Sequence, residues 1–153
     1  MLLAVVIAAG LVGGGIWLWS LQPSMEQQKE RFTEGALKIG SPEFEKITKD
    51  IIITTDTDFT TESYTGLGTI MMTIPATVYN KGDKTITLMQ VRLGVVDRQN
   101  RMIKQREMII VPGPKNEKLG PGERMKVIET LDGFDPKADR AMPQWLVTAI
   151  KIE

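Results

Sequence analysis

The run Thr69-Ile70-Met71-Met72-Thr73-Ile74-Pro75-Ala76-Thr77-Val78-Tyr79 alternates apolar and polar residues and then breaks at Asn80-Lys81-Gly82-Asp83. A period of two puts Ile70, Met72, Ile74, Ala76 and Val78 on one face, the signature of a half-buried strand. Asn, Gly and Asp in the following four residues are turn chemistry. Thr85 to Val96 then returns with Met89, Val91, Leu93 and Val95 inward. Ile86 and Leu88 have the opposite phase, which predicts a bulge or an edge crossing near Leu88. Pro75 brings no N–H to the ladder, so the first strand has either an edge position or a local break there.

Outward from this hairpin the pattern continues. Upstream, Ile51-Ile52-Ile53-Thr54-Thr55 is β-branched throughout. Downstream, Asp97-Arg98-Gln99-Asn100 is a turn, with Asn100 suited to a left-handed conformation. Met102 to Val111 reads as the next strand, ended by Pro112-Gly113-Pro114. The tight loop Leu119-Gly120-Pro121-Gly122-Glu123 precedes a strand holding Met125, Val127, Glu129 and Leu131. A polar loop with Asp132, Asp135, Pro136 and Asp139 leads to a last strand, Trp145 to Ile152. About six to seven short antiparallel strands at this spacing predict an all-β sandwich over residues 47–153.

The amino-terminal residues follow a different grammar. Met1 to Trp19 contains no charged, amide or hydroxyl side chain. As a helix it would be roughly 28 Å long, close to the hydrocarbon thickness of a bilayer. Trp17 and Trp19 fall where an interfacial aromatic belt would lie, and Pro23 marks the end. A cleaved signal peptide would want a basic first region and a small-x-small site; no Lys or Arg precedes Lys29. The expectation is therefore an uncleaved single-pass anchor over residues 1–21. Ala4 with Ala8, Ala9 with Gly13, and Gly10 with Gly14 share four-residue spacing, which lets a neighbouring helix approach closely in lipid. Small residues are also common in any membrane span, so the stripe alone does not prove packing. Ser24 with Gln27 resembles a capping box, predicting a stalk helix from Ser24 to Ile39 within a linker region of residues 22–46. Met25, Phe32, Ala36 and Ile39 would form its apolar stripe. Gly40-Ser41-Pro42 stops it, with Ser41 and Pro42 set to cap one further helical turn.

Composition narrows the chemistry. The 153 residues hold 19 basic and 19 acidic side chains, so no surplus positive charge exists to track nucleic acid. Without cysteine or histidine, thiolate chemistry and the commonest general base are unavailable. Carboxylates are the remaining candidates: Asp56 with Asp58, and Asp132, Asp135 and Asp139 in one loop. Paired acids can bind calcium or transfer protons, but neither group has EF-hand spacing and turns favour Asp anyway. No Gly-x-Ser-x-Gly frame is present, and Gly66-Leu67-Gly68 lacks the rest of a phosphate-binding fingerprint. The expectation is a protein that is not an enzyme and needs no cofactor or metal. Met71, Met72, Met89, Met102, Met108 and Met125 lie on predicted strands. They serve either as core filling or as adaptable contact surface.

The strand Val78-Tyr79-Asn80-Lys81-Gly82-Asp83-Lys84-Thr85-Ile86, the second strand ending in Asp97, and Leu119-Gly120-Pro121-Gly122-Glu123 resemble bacterial membrane-anchored immunoglobulin-like domains of the FxLYD type and related domains of unknown function. Pro143-Gln144-Trp145 followed by Ile150-Lys151-Ile152-Glu153 is similar to their closing strand. In place of the aromatic-Leu-Tyr-Asp run this chain has Leu93-Gly94-Val95-Val96-Asp97, which keeps the aspartate. The resemblance implies an immunoglobulin-like sandwich on the extracytoplasmic side. Lys29, Arg31 and Lys38 after the span point instead to the cytoplasm under the positive-inside rule. Together these readings predict an accessory, structural subunit of a larger membrane complex, of the kind found in photosynthetic or electron-transport assemblies. Its partners would be the lipid bilayer and the transmembrane helices and soluble parts of that complex. The alternatives are a stand-alone anchored extracytoplasmic binding module and a pilin-like filament subunit.

Overall fold

The structure, a computed structural model, describes residues 32–153, and the compact unit within it runs from Gly35 to Glu153. In chain order its elements are β1 (Leu37–Lys38), α1 (Pro42–Thr48), β2 (Ile51–Thr55), β3 (Thr61–Tyr64), β4 (Ile70–Asn80), β5 (Ile86–Val96), β6 (Met102–Val111), β7 (Arg124–Phe134) and β8 (Met142–Ile152). One antiparallel sheet has the order β1-β8-β5-β6. In the other, β4 pairs with β7 along one side and with β2 and then β3 along the other. The result is an all-β, sandwich-like fold in which β4 and β5 are the central strands.

The alternation in the central hairpin is the reason. Ile70, Met72, Ile74, Ala76 and Val78 are all buried, and so are Met89, Val91, Leu93 and Val95 of β5. Ile74, Val78, Val91, Leu93 and Val95 have no exposed surface. Each such side chain contributes about 1.5–3 kcal/mol of hydrophobic stabilisation. The pairing of β5 with β8 shifts register between Ile86 and Leu88, the expected bulge. That shift is what lets Leu88 and Met89, adjacent in sequence, both be buried.

Pro75 acts through a break and not through an edge. β4 is paired on both sides, but β2 ends opposite Ala76 and β3 begins opposite Thr73. Between them the chain makes a 3-10 turn, Thr57–Phe59, and the Asp56 N–H donates to the Pro75 carbonyl at 2.9 Å. The residue that lacks a donor thus stands where its partner strand is interrupted.

Two expectations need correction. The helix predicted for Ser24–Ile39 has residues 24–31 outside the described residues. Its described part ends at Thr33, and Glu34–Gly35 is a turn with Gly35 at φ +72°. Beyond it, Leu37 and Lys38 pair with Ile150 and Ala149 as β1. Leu37 gains more from this long-range pairing than from a further helical turn, and tertiary contact overrides a local period. Asp132 lies within β7 and not in the loop that follows, because β7 continues to the buried Phe134. The helical turn after Gly40 does form: the Ser41 hydroxyl accepts from the Phe44 N–H at 3.3 Å, with Pro42 at the first position. Phe44 then enters the core.

Two buried polar side chains hold the turns. Asn80 places its amide nitrogen 2.8–3.1 Å from the carbonyls of Lys84, Leu119 and Gly120, sharing two hydrogens among three acceptors. Its amide oxygen accepts from Gly82 N–H at 3.1 Å. Asp97 accepts from the N–H groups of Gln99 and Arg101, and from Arg101 Nε at 2.7 Å. Asn100 within that turn is left-handed, at φ 61°.

Candidate docking seam between the sheets

The two sheets meet along two seams that differ in chemistry. At the β6–β7 seam, Arg106 lies 3.5 Å from Glu129, and Lys104 Nζ donates to the Gly133 carbonyl at 3.3 Å. Burial raises the Glu129 pKa, partly offset by Arg106. Both strands carry several charges, and charged edges resist pairing with foreign strands. The β2–β8 seam has none of this. β2 and the Met142–Ile150 stretch of β8 contain no charged residue.

Local sequence explains why the pairing of β1 with β8 is short. β1 adds to the edge of β8, but only over Ala149 and Ile150. The Ile39 N–H then donates to the Thr148 carbonyl at 3.1 Å. Next, Gly40 at φ +93° turns the chain, with the Ser41 N–H donating back to the Lys38 carbonyl at 3.2 Å. That turn delivers the chain into α1, which packs beside β8 and not onto its edge as a strand. Met142–Val147 is therefore paired with β5 alone, and among the described residues no strand covers its other edge.

Beside this edge lies a groove of about 270 Å³ lined by Ile39, Phe44, Glu45, Thr48, Ile51, Ile53, Trp145, Leu146 and Val147. α1 forms its rim. Ile39 and Leu146 are 51 % and 44 % exposed. Trp145 packs against both core clusters, yet its indole Nε1–H is buried without a hydrogen-bond partner. A buried donor without an acceptor is uncommon in a finished interior.

Other depressions lie among the described residues. One, of about 280 Å³, lies on the β4–β7 sheet beside the break at Pro75 and includes Asp56, Phe59, Lys126 and Ile128. Phe59 and Ile128 are 70 % and 68 % exposed. Another, of about 400 Å³, lies between α1 and the β4–β5 turn and mixes Glu43, Asp50 and Asp83 with Lys46 and Lys84.

The helix-packing residues expected at Ala4, Ala8, Ala9, Gly10, Gly13 and Gly14, and the interfacial Trp17 and Trp19, lie outside the described residues. Among the described residues no helix is long and apolar enough to cross a membrane. The candidate acids are not brought together as a metal site, and no such cluster of three or more exists among the described residues. Asp135 accepts from the Lys137 N–H, Asp139 pairs with Arg98 at 3.6 Å, and Asp56 borders the depression beside Pro75. Met72, Met89 and Met125 are core. Met102 is 46 % exposed and lies over Gly94, where an added Cβ would meet its sulfur at 2.7 Å.

Sequence reasoning missed the seam because it belongs to no motif. A scan for charge-free strands would have found half of it, and the turn at Gly40 the other half.

No protein-family model matches the chain, and comparison with curated proteins finds no match. Among solved structures, the chain is similar to a structural-genomics target determined by X-ray crystallography, at 10 % identity and a TM-score of 0.43. That likeness covers 70 % of this chain and 86 % of the other. It is also similar to a Bordetella pertussis protein assigned as ApaA, at 11 % identity and a TM-score of 0.37, covering 67 % and 91 %. Neither supplies a ligand, partner or reacting residue for this chain.

Proposed function

We propose that this chain is a non-catalytic accessory subunit of a larger membrane complex, anchored by the uncharged run Met1–Trp19. In this reading its β-module is an immunoglobulin-like sandwich that braces a part of the assembly outside the bilayer, on the extracytoplasmic side. The placement of β4 between β2 and β7, and of β5 between β6 and β8, supports the immunoglobulin-like comparison. The observation that carries the proposal is the β2–β8 seam, where a β8 edge without charged side chains borders a groove that exposes Ile39 and Leu146 beside Glu45. A stand-alone binding module is the second reading, favoured by the exposed Phe59 and Ile128 beside Pro75.

The test is affinity purification from native membranes in mild detergent, with mass spectrometry of the co-migrating chains. The proposal expects a fixed set of integral-membrane subunits, lost when Gly10→Leu and Gly14→Leu are combined. Migration as a single small species would overturn it in favour of the binding module.

A further inference from the structure

We propose that the β3–β4 hairpin tip, residues 64–69, is a second membrane contact that seats Leu67 and Tyr64 in the interfacial layer of a lipid bilayer. The inference rests on the anchored reading, because the span over residues 1–19 is what brings a bilayer within reach. Three observations identify lipid as the occupant.

The first is an apolar apex. Leu67 is 92 % exposed and Tyr64 77 %, the two most exposed large apolar side chains among the described residues. Leu67 stands between Gly66 and Gly68, with Gly68 at φ +76° completing the turn. An aliphatic apex with a tyrosine one step behind it is the order a bilayer surface favours, since Tyr settles at headgroup level. The second is backbone satisfaction. Lipid offers few hydrogen-bonding partners, so an entering peptide has to pair its polar groups internally. The Thr65 N–H donates to the Thr69 carbonyl at 2.8 Å, and the Gly68 N–H to the Thr65 carbonyl at 3.1 Å. The Thr65 hydroxyl accepts from the N–H groups of Leu67 and Thr69, both at 3.3 Å, and meets the Thr69 hydroxyl at 2.7 Å. A polar partner would find these donors already used. The third is charge. No charged residue lies between Glu62 and Lys81. At the same end of the sandwich Glu62 pairs with Arg140, Asp97 with Arg101 and Asp139 with Arg98. Zwitterionic lipid therefore suffices, and no anionic headgroup is selected. The tether is also long enough. The chain enters the module near its other end, where Leu37 pairs with Ile150. Residues 20–36 reach up to roughly 60 Å when extended, more than the roughly 36 Å of the 11-residue β4.

The chain contains no cysteine, so an introduced one reports its own position. Gly66 has open space at its Cβ position and no positive φ, so Gly66→Cys carries an environment-sensitive fluorophore at the apex without strain. The labelled full chain is reconstituted into phosphatidylcholine vesicles, with and without lipid bearing a nitroxide on a shallow acyl carbon. Emission is expected to shift to the blue and to be quenched by the nitroxide lipid, equally at low and high salt. Adding Leu67→Asp should lower the ratio of inserted to free tip about tenfold or more. Ile128→Asp, on an exposed position of β7, should leave that ratio unchanged. The same fluorophore at Lys115→Cys, in the loop between β6 and β7 at the other end, should stay in water.

Flotation of the chain with the vesicles reads the span independently of the tip. Flotation with an unquenched Gly66 label would overturn the tip contact and leave the anchored reading standing, whereas a chain that does not float would overturn both. Quenching that persists in Leu67→Asp would mean that the fluorophore enters the lipid by itself, which also overturns the proposal. In native membranes, a label shielded from aqueous iodide yet unquenched by added nitroxide lipid would assign the tip to a protein pocket and overturn it as well.

Discussion

Asn80 joins two stretches that are far apart in sequence, the β4–β5 turn and the Leu119–Glu123 loop. Its backbone takes part as well: the N–H donates to the Glu123 carbonyl and the carbonyl accepts from the Gly122 N–H. Asn80→Asp keeps the shape but removes both side-chain donors and sets a carboxylate against the carbonyl oxygens of Lys84, Leu119 and Gly120, of which the last two keep the Ile86 and Glu123 N–H groups. The expected loss is about 2–4 kcal/mol in denaturant-induced unfolding, against less than about 1 kcal/mol for the exposed Lys81→Ala. Asp97 is the acid-sensitive counterpart. Its pKa is lowered, chiefly by the Arg101 backbone N–H, against an opposing effect of burial and with help from the Arg101 guanidinium. A lowered folded-state pKa gives stability that is complete above the unfolded value, about 3.9, and lost as pH falls through the folded value. Unfolding measured from pH 7 to pH 2.5 should therefore show an acid limb beginning near pH 4, and Asp97→Asn should flatten it while lowering stability at pH 7. Glu62 contributes to the same limb with the same sign, since the Arg140 side chain lowers its pKa. Arg140 forks onto both Glu62 oxygens at 2.9 and 3.0 Å and also donates to the Asp135 and Ala138 carbonyls. Arg140→Lys retains the charge but not the fork. It should cost about 1–2 kcal/mol and loosen the β7–β8 loop, read as faster amide exchange at Ala138.

At the scale of elements, the short segment β1–turn–α1 sets how much of β8 stays open. Gly40 at φ +93° has open space where a Cβ would go, so substitution there is strained by backbone conformation alone. Gly40→Ala should cost about 1 kcal/mol, or roughly 3–6 °C in Tm, and should release β1 from Ala149 and Ile150. Leu146→Glu, on an exposed outer position, should change the stability of the isolated chain by less than about 0.5 kcal/mol. A large loss there would mean that Leu146 is core and not contact surface. The elements also divide by how well the sequence announced them. β2, β4 and β5 carry a β-branched run or a two-residue period and are readable to within a residue, while β6 is marked by the turns on either side of it. β3 is not readable, because all four of its residues are exposed and none repeats with a period. β1 was misread as helix because Phe32, Ala36 and Ile39 fit a helical stripe. Phe32 and Ile39, two of its members among the described residues, are both mostly exposed.

For the whole molecule, the sandwich follows from one consistent set of local signals: alternation, turn residues, and a proline opposite a broken partner strand. The seam does not, because it depends on an absence of charge on two strands about ninety residues apart and on a turn that ends pairing early. Neither element alone looks like a site. Their juxtaposition exists only after folding, which is why sequence reasoning found the scaffold and passed over its most distinctive surface. The most direct test of the account is amide hydrogen exchange across β8, comparing the isolated full chain in micelles with the same chain in its native membrane assembly. The account predicts fast exchange at Trp145 and Val147 in isolation and strong protection in the assembly, with β6 unchanged. Equal exchange of the β8 edge in both states would contradict it.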